Sequence, residues 1–525
     1  MSEFHLAQFH GGLVLDHHKT EVNEQPIKNA AVPQRLLISL RVNRGYEATP
    51  IVKVGDEVLK GQCIAQAEHP MASDVHASSS GTVVSITQRP SSAPDAAVAT
   101  VIELATDGKD QWCELSPLGA DEITPENIQQ VMKTAGIMGM GGAGFPTYMK
   151  YWYMKSSHVN VNAGSKKVET LVINGAECEP YIACDERLML EKAHEVVKGS
   201  ALMMAAAEAV QTIIAIEDSM GRVQLALEAA INELNVEHFS VVKVPSIYPT
   251  GGEKQLIEVL TGKQVPAGET PLALGLLMQN VATAKALHDA VYLGQPLIER
   301  VISVTGDQVT APCNYLARIG TPMKDLLTDA GAKDVHQSRL VVGGPMMGFA
   351  MPDDDIGIDK TSNCLLLMKA EKQAIPDNDM PCIRCGDCVK VCPQDLLPQQ
   401  LFWYINGNED GNDLQKARDH NLFDCIECGA CAYVCPSQID LVDFYRFGKA
   451  ELRYLDFKQT QADQAKERFE AREARLIRLK KERQAKRHAK TSQLKDKKVA
   501  KKEISDVLAR IKQMKDKKEE GQSDE

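Results

Sequence analysis

Residues 382–393 read Cys382-Ile-Arg-Cys385-Gly-Asp-Cys388-Val-Lys-Val-Cys392-Pro393, and residues 425–436 read Cys425-Ile-Glu-Cys428-Gly-Ala-Cys431-Ala-Tyr-Val-Cys435-Pro436. Each run is Cys-x2-Cys-x2-Cys-x3-Cys-Pro. Three thiolates at this spacing wrap one face of a cubane iron–sulfur cluster. The fourth is carried off by a helical turn, stopped by proline, and ligates the other cluster. One 4Fe-4S cluster is therefore expected on Cys382, Cys385, Cys388 and Cys435, and a second on Cys425, Cys428, Cys431 and Cys392. Zinc usually shows Cys-x2-Cys pairs with longer gaps, and two complete four-cysteine runs fit it poorly. Gly386 and Gly429 permit the tight loop each cluster requires.

The composition around this block is ordinary. The 525 residues are 44% apolar and 25% charged, enough chain for about three or four domains with sizeable cores. Eight of the 14 cysteines lie between Cys382 and Cys435. Such clustering in a reducing compartment points to metal rather than disulfides. Cys63, Cys113, Cys178, Cys184, Cys313 and Cys364 are scattered and read as small buried residues. The net charge of −12 divides into −20 over residues 1–460 and +8 over residues 461–525. An acidic body argues against nucleic-acid binding. No apolar run is long enough to span a bilayer. Residues 201–216 come nearest, and Glu208 and Gln211 make them a buried or amphipathic helix. The opening Met-Ser-Glu-Phe-His has no signal-peptide pattern, so a cytosolic location is expected.

A second informative stretch is Gly136-Ile-Met-Gly139-Met-Gly141-Gly142-Ala-Gly144-Phe145-Pro-Thr-Tyr-Met-Lys150. Its Gly-x-Gly-x-x-Gly string lacks the preceding strand and following acidic residue of a dinucleotide fingerprint. Phe145 stands where a Walker A loop needs lysine. The clustered glycines still bare backbone amides to something flat or anionic. A strand at 168–173 runs into Asn174-Gly-Ala176-Glu177-Cys-Glu179-Pro180, at the strand end where α/β sheets bind ligands. Tyr248-Pro-Thr-Gly251-Gly252-Glu253 follows a strand at 240–244, and Gln279-Asn280-Val-Ala-Thr283 comes later.

In this order the motifs resemble the flavin-binding NADH dehydrogenase subunit of respiratory complex I. The resemblance is closer to the C-subunit family of Rnf (or Rsx) ion-translocating electron transport complexes, and it covers roughly residues 1–455. The paired cysteine runs, which also resemble a bacterial two-cluster ferredoxin, separate it from the complex I protein, which has one cluster there. The resemblance implies bound FMN, with NAD(H) as substrate. Gly139, Gly141, Gly142 and Gly144 would bring amides to the flavin and its phosphate, and Lys150 would add positive charge. Asn174, Glu177, Asn280 and Thr283 would hydrogen-bond the isoalloxazine or ribityl chain. Phe145 and Tyr153 would stack on the nicotinamide nucleotide. Glu179 and Glu253 would shape its pocket as the catalytic pair. Ala176 replaces an aspartate and Met140 a basic residue of the complex I pattern, so those contacts do not transfer.

The remaining segments complete the organisation. Residues 52–66 and 80–86 alternate apolar residues with Gly-Asp and Gly-Gln turns, as in the barrel-sandwich fold of lipoyl carriers without its modified lysine. His69 and His76 read as turn or edge residues, as do His5, His10, His17 and His18. Residues 299–350 suggest a β-grasp unit of the soluble-ligand-binding kind, packed between the flavin and cluster domains. In the basic end, Ile504, Val507, Leu508, Ile511 and Met514 form a stripe at helical spacing. It suits a solvated helix or coiled coil, or contact with anionic lipid.

The expected fold is multidomain α/β and α+β. It comprises a barrel-sandwich β domain (1–125), a Rossmann-like FMN/NADH domain (126–298) and a β-grasp domain (299–370). A two-cluster ferredoxin-like helical domain (371–455) and a charged helical tail (456–525) follow. The expected function is that of a peripheral subunit at the cytoplasmic face of the inner membrane. It would pass electrons between NADH and a low-potential carrier such as ferredoxin, coupled to ion translocation. Its partners would be the membrane-embedded subunits of the complex and a ferredoxin-like subunit. A cobalamin reductase of a microcompartment and a non-catalytic cluster-bearing scaffold are the alternatives. Membrane fractionation, corrinoid reduction and flavin absorbance distinguish them.

Overall fold

The strands Phe239–Val244, Gln211–Glu217, Thr170–Gly175 and Leu276–Asn280 lie side by side in that order, all parallel. Their nearly unbroken apolar sequences follow from this, because helices cover both faces. Alternate residues divide between two cores. Leu171, Ile173, Ile214 and Ile216 pack with helices Pro125–Thr134, Ala193–Ala207 and Val281–Tyr292. Val172, Ile213, Ala215 and Val242 pack with helix Glu253–Thr261. In this computed structural model, residues 6–41, 45–157, 167–370, 380–407 and 413–520 are described. His5 lies outside them.

The N-terminal domain sets an antiparallel sheet of Arg35–Ser39, Val98–Thr106, Gly81–Pro90 and Glu57–Val58 beside a smaller one of Thr49–Pro50, Cys63–Gln66 and Val75–His76. Leu36, Ile38, Ile64, Ile102 and Leu104 fill its core. The third sheet runs Lys28–Asn29, Cys313–Arg318, Glu299–Thr305, Cys364–Lys369, Ser338–Val342 and Phe349–Met351, with helix Met323–Asp329 packed through Met323, Leu326 and Leu327. Its first strand comes from the beginning of the chain, which therefore crosses the later domains before it enters the barrel sandwich.

The cysteine runs form loops closed by the short helices Asp387–Lys390 and Ala430–Tyr433, backed by Pro398–Asn406 and the start of helix Leu441–Glu520. The chain divides into two units, Met1–Gly448 and Lys449–Glu525. The second continues the long helix, with Ile504, Val507, Leu508, Ile511 and Met514 all exposed. Among the described residues, no helix is long and apolar enough to cross a membrane.

Two sequence expectations are corrected. Residues 201–216 are not one helix: Ala193–Ala207 ends at Glu208, whose φ is +50°, and Gln211–Glu217 is a buried strand. The β-branched run Thr212, Ile213, Ile214 and Ile216 suits a pleated sheet better than a helix. Cys63 and Cys113 are half-exposed rather than buried, in a small domain with little interior to offer. His76 sits on an edge strand as expected, and it is buried, hydrogen-bonded with the Thr134 backbone and near the Lys360 charge.

Candidate functional site

The glycine-rich segment is pinched at its base. The Gly139 amide donates to the Phe145 carbonyl at 2.8 Å, and Met138 pairs with Pro146. Gly142 has φ of +100°, with open space where a Cβ would stand, so the loop presents bare backbone there. The loop is held from behind at Met140. The Met140 amide donates to Thr283 Oγ1 at 2.9 Å, and Arg300 Nη2 donates to the Met140 carbonyl at 3.3 Å. Arg300 is buried and otherwise donates to the carbonyls of Val301 and Lys360.

Asn280 is the N-cap of helix Val281–Tyr292. Its Oδ1 accepts from the amides of Ala282 and Thr283 at 2.9 and 3.4 Å. Its Nδ2 donates to Asp185 at 2.5 Å and lies 3.3 Å from the position of a Gly141 Cβ. A glycine loop beside a helix N-terminus favours a phosphate group. Lys150 supplies the cation: its Nζ donates to the Met278 carbonyl at 2.8 Å and pairs with Glu253 at 3.1 Å. Asn174 is fixed by Nδ2 donating to the Gly251 carbonyl at 2.8 Å and Oδ1 accepting from Ala176 at 3.0 Å. Gly139, Gly141, Gly142, Gly144, Phe145, Lys150, Asn174, Glu253, Asn280 and Thr283 thus gather beside the carboxyl ends of the strands Thr170–Gly175 and Leu276–Asn280. Tyr153 lies on helix Thr147–Ser157, edge-on to Trp152.

Glu177 and Glu179 have other partners. Glu177 is buried, and its carboxylate accepts from the amides of Asp185 and Glu186 and from the Cys184 thiol. Burial pushes its pKa up to about 7, despite the nearby Lys19. Glu179 Oε1 accepts from the amides of Met346 and Met347 at 2.7 and 3.1 Å, and burial raises its pKa. It ties the flavin-type domain to the loop after strand Ser338–Val342.

Sequence reading missed several groups here. Lys19 is buried, and its ammonium donates to the Glu177 carbonyl. Burial opposes its charge, but Glu177, Glu217 and Glu186 outweigh burial and raise its pKa. Arg300 and Asp185 hold the glycine loop and the Asn280 cap. None of the three sits in a recognisable motif, and the burial of Lys19 has no signal in the sequence around it.

The thiols fall into two cavities. Cys382, Cys385, Cys388 and Cys435 line one, with Gln399 and Ile439. Cys392, Cys425, Cys428 and Cys431 line the other, with Ile426 and Tyr445. Burial, reinforced by neighbouring thiols, pushes Cys428 up to about 12 and raises Cys388 and Cys431; burial also raises Cys392. Crowded thiols reluctant to ionise are what bound iron would turn into thiolates. Backbone amides add N–H···S contacts of 3.4 Å, Leu396 to Cys392 and Glu427 to Cys425. The donor set fits two 4Fe-4S clusters, and the glycine loop, helix N-terminus and Lys150 fit a flavin phosphate.

Four family models match in sequence. They are an RnfC barrel sandwich hybrid domain at residues 7–109, a Nuo51 FMN-binding domain at 132–289, an SLBB domain at 301–350 and a 4Fe-4S dicluster domain at 374–436. The C subunit of the ion-translocating oxidoreductase complex of Pseudomonas aeruginosa is 44% identical over 92% of this chain and 60% of its own length. That of Yersinia pestis bv. Antiqua is 42% identical over 90% of this chain and 74% of its own. A solved NAD+-reducing [NiFe]-hydrogenase in the H2-reduced state aligns with TM-score 0.44 and 20% identity, over 61% of this chain and 60% of that one. The chain spans 60% of the length of the Pseudomonas protein, and 65% and 66% of those of Serratia proteamaculans and Pectobacterium atrosepticum. Fold, cysteine pattern and relatives agree: this chain belongs to the C-subunit family of ion-translocating oxidoreductase complexes.

Proposed function

We propose that this protein is the electron-entry or electron-exit subunit of a membrane complex that couples electron transfer between NADH and a low-potential carrier to ion translocation. The observation that carries this reading is one compact unit holding both a phosphate-cradling glycine loop and two four-cysteine cavities. When bound, FMN exchanges a hydride with the nicotinamide and single electrons with the clusters. The chain's own residues do the rest. Amides of Gly141, Gly142 and Gly144 and the helix at Val281 orient the phosphate, Gly139 closes the loop that presents them, and Lys150 balances its charge. Asn174 and Asn280 hydrogen-bond the flavin, either directly or through the loop. Phe145 and Tyr153 face the nicotinamide nucleotide, and Glu253, paired with Lys150, shapes its pocket. Glu177, Glu179 and Thr283 act from behind, through the hydrogen bonds that set the loop and the strand end. The eight cysteines hold iron.

The partners in this reading are membrane-embedded subunits and a ferredoxin-like subunit, at the cytoplasmic face of the inner membrane. The basic helix would contact anionic lipid. Anaerobic titration with NADH, followed by absorbance and EPR, tests it. Flavin bleaching followed by reduction of two clusters, with about eight iron atoms per chain, is the expected result. Zinc in place of iron, or flavin-free protein whose clusters ignore NADH, would overturn it.

A further inference from the structure

The two thiol cavities have different surroundings. The Cys392, Cys425, Cys428 and Cys431 set is gripped by groups from outside its own domain. Tyr248, 2% exposed, donates its hydroxyl to the carbonyl of Cys428 at 2.5 Å. His10 Nδ1 lies 2.9 Å from the carbonyl of Cys392 and must be the donor. The two contacts are stitched together: Leu13 and Tyr248 exchange backbone hydrogen bonds of 2.8 Å, and the Gly12 amide donates to Val391 at 3.1 Å. Gly11 approaches so closely that a Cβ would lie 2.6 Å from the Val391 carbonyl carbon. Lys254 adds an ion pair to Asp424 at 3.4 Å, and Cys178, Tyr248 and Cys428 share an apolar cluster.

The Cys382, Cys385, Cys388 and Cys435 set has no such neighbours among the described residues. Among the described residues both cavities are lined from within the cluster domain, and no hydrogen bond from another domain reaches a ligand cysteine of this set. Cys385 is exposed, and Ile383 is 62% exposed.

We propose that Tyr248 and His10 are positioning residues that fix the Cys392, Cys425, Cys428 and Cys431 set as the inner redox centre, against the flavin-type domain, and leave the other set facing outward. The inference rests on the electron-transfer reading above. A donor aimed at the carbonyl of a ligand cysteine acts on the cluster from outside its ligand shell. Its dipole stabilises the added electron, so it raises the reduction potential of that centre. With FMN and both clusters bound, the two electrons of a hydride taken up by the flavin would go one to each cluster, inner centre first, and its proton to water; no further reactant would be required.

The test uses the full chain loaded with iron and sulfide under anaerobic conditions. Cys385→Ser marks the EPR signal of the outer centre. Mediated redox titrations of the unmodified protein, Tyr248→Phe and His10→Ala then follow both signals. The expected result is a downward shift of the inner midpoint in each variant, the outer midpoint and the iron content staying put. Freeze-quench after NADH addition should show the inner signal first in the unmodified protein. A shift of the outer signal, equal shifts of both, no shift, or outer-first reduction would overturn the proposal. Should Tyr248→Phe lose iron, His10→Ala and the freeze-quench order decide. Midpoints need no NADH, so a protein unreactive to NADH refutes the electron-entry reading and still leaves Tyr248 and His10 decided.

Discussion

The hydroxyl of Thr283 accepts the amide hydrogen of Met140 at 2.9 Å, across 143 residues of sequence. This bond fixes the back of the glycine loop from the first turn of the helix that Asn280 caps. Thr283→Val keeps the side-chain shape and leaves a buried N–H unpaired, a loss of about 1–3 kcal/mol. FMN retention should weaken about tenfold or more, read by flavin fluorescence on dilution. Unchanged retention would mean that the loop is set elsewhere.

Lys19 is the counter-charge for a buried group of carboxylates. Lys19→Met strands Glu177 and Glu217, both buried. Removing one partner of a buried pair typically destabilises by about 3–5 kcal/mol. Denaturant melts should show that loss, and Lys19→Met with Glu177→Gln should recover part of it. Strict additivity of the two substitutions would argue against their coupling.

His76 gives the fold a pH dependence. Burial, helped by the Lys360 ammonium, lowers its pKa to about 3. The unfolded chain takes up a proton below pH 6.5 while the folded one does not, so stability is intact above that pH. It should fall as the pH drops from 6.5 toward 3, by a few kcal/mol in total at about 1.4 kcal/mol per unit. His76→Gln should flatten the thermal-melt profile over that range. A mutant profile parallel to the parent would refute this.

The crossed ligand arrangement is testable by iron count. Cys435 lines a cavity with Cys382, Cys385 and Cys388, not with Cys425, Cys428 and Cys431 of its own run. Cys435→Ala should therefore reduce iron from about eight to about four atoms per chain. The surviving EPR signal should match that of Cys382→Ala and differ from that of Cys428→Ala. The opposite match would uncross the ligands.

Short-range signals were legible and long-range ones were not. The cysteine runs carry their own geometry, because ligand spacing is local. The glycine loop and the Asn280 motif were visible for the same reason, while the capping role of Asn280 emerges only with the helix it starts. Tyr248 reads in sequence only as the start of a Tyr-Pro-Thr-Gly motif, because its role depends on a hydroxyl meeting Cys428 across 180 residues. His10 resembled the other early histidines, and nothing nearby distinguishes it until the fold places the Cys392 carbonyl beside it. Residues 201–216 misled because alanine and isoleucine runs suit either a buried helix or a buried strand. The αL turn at Glu208 decides between them.

The early segment that joins Tyr248, Cys392 and the Lys28–Asn29 strand has a consequence for biosynthesis. His10 waits for a carbonyl that leaves the ribosome 382 residues later, about 20–75 s at ordinary elongation rates. Leu13 can pair with Tyr248 once that segment has emerged, but the His10 contact is completed only with the cysteine loop. A nascent chain stalled before Cys392 would hold Leu13 against Tyr248 and still leave His10 without its acceptor.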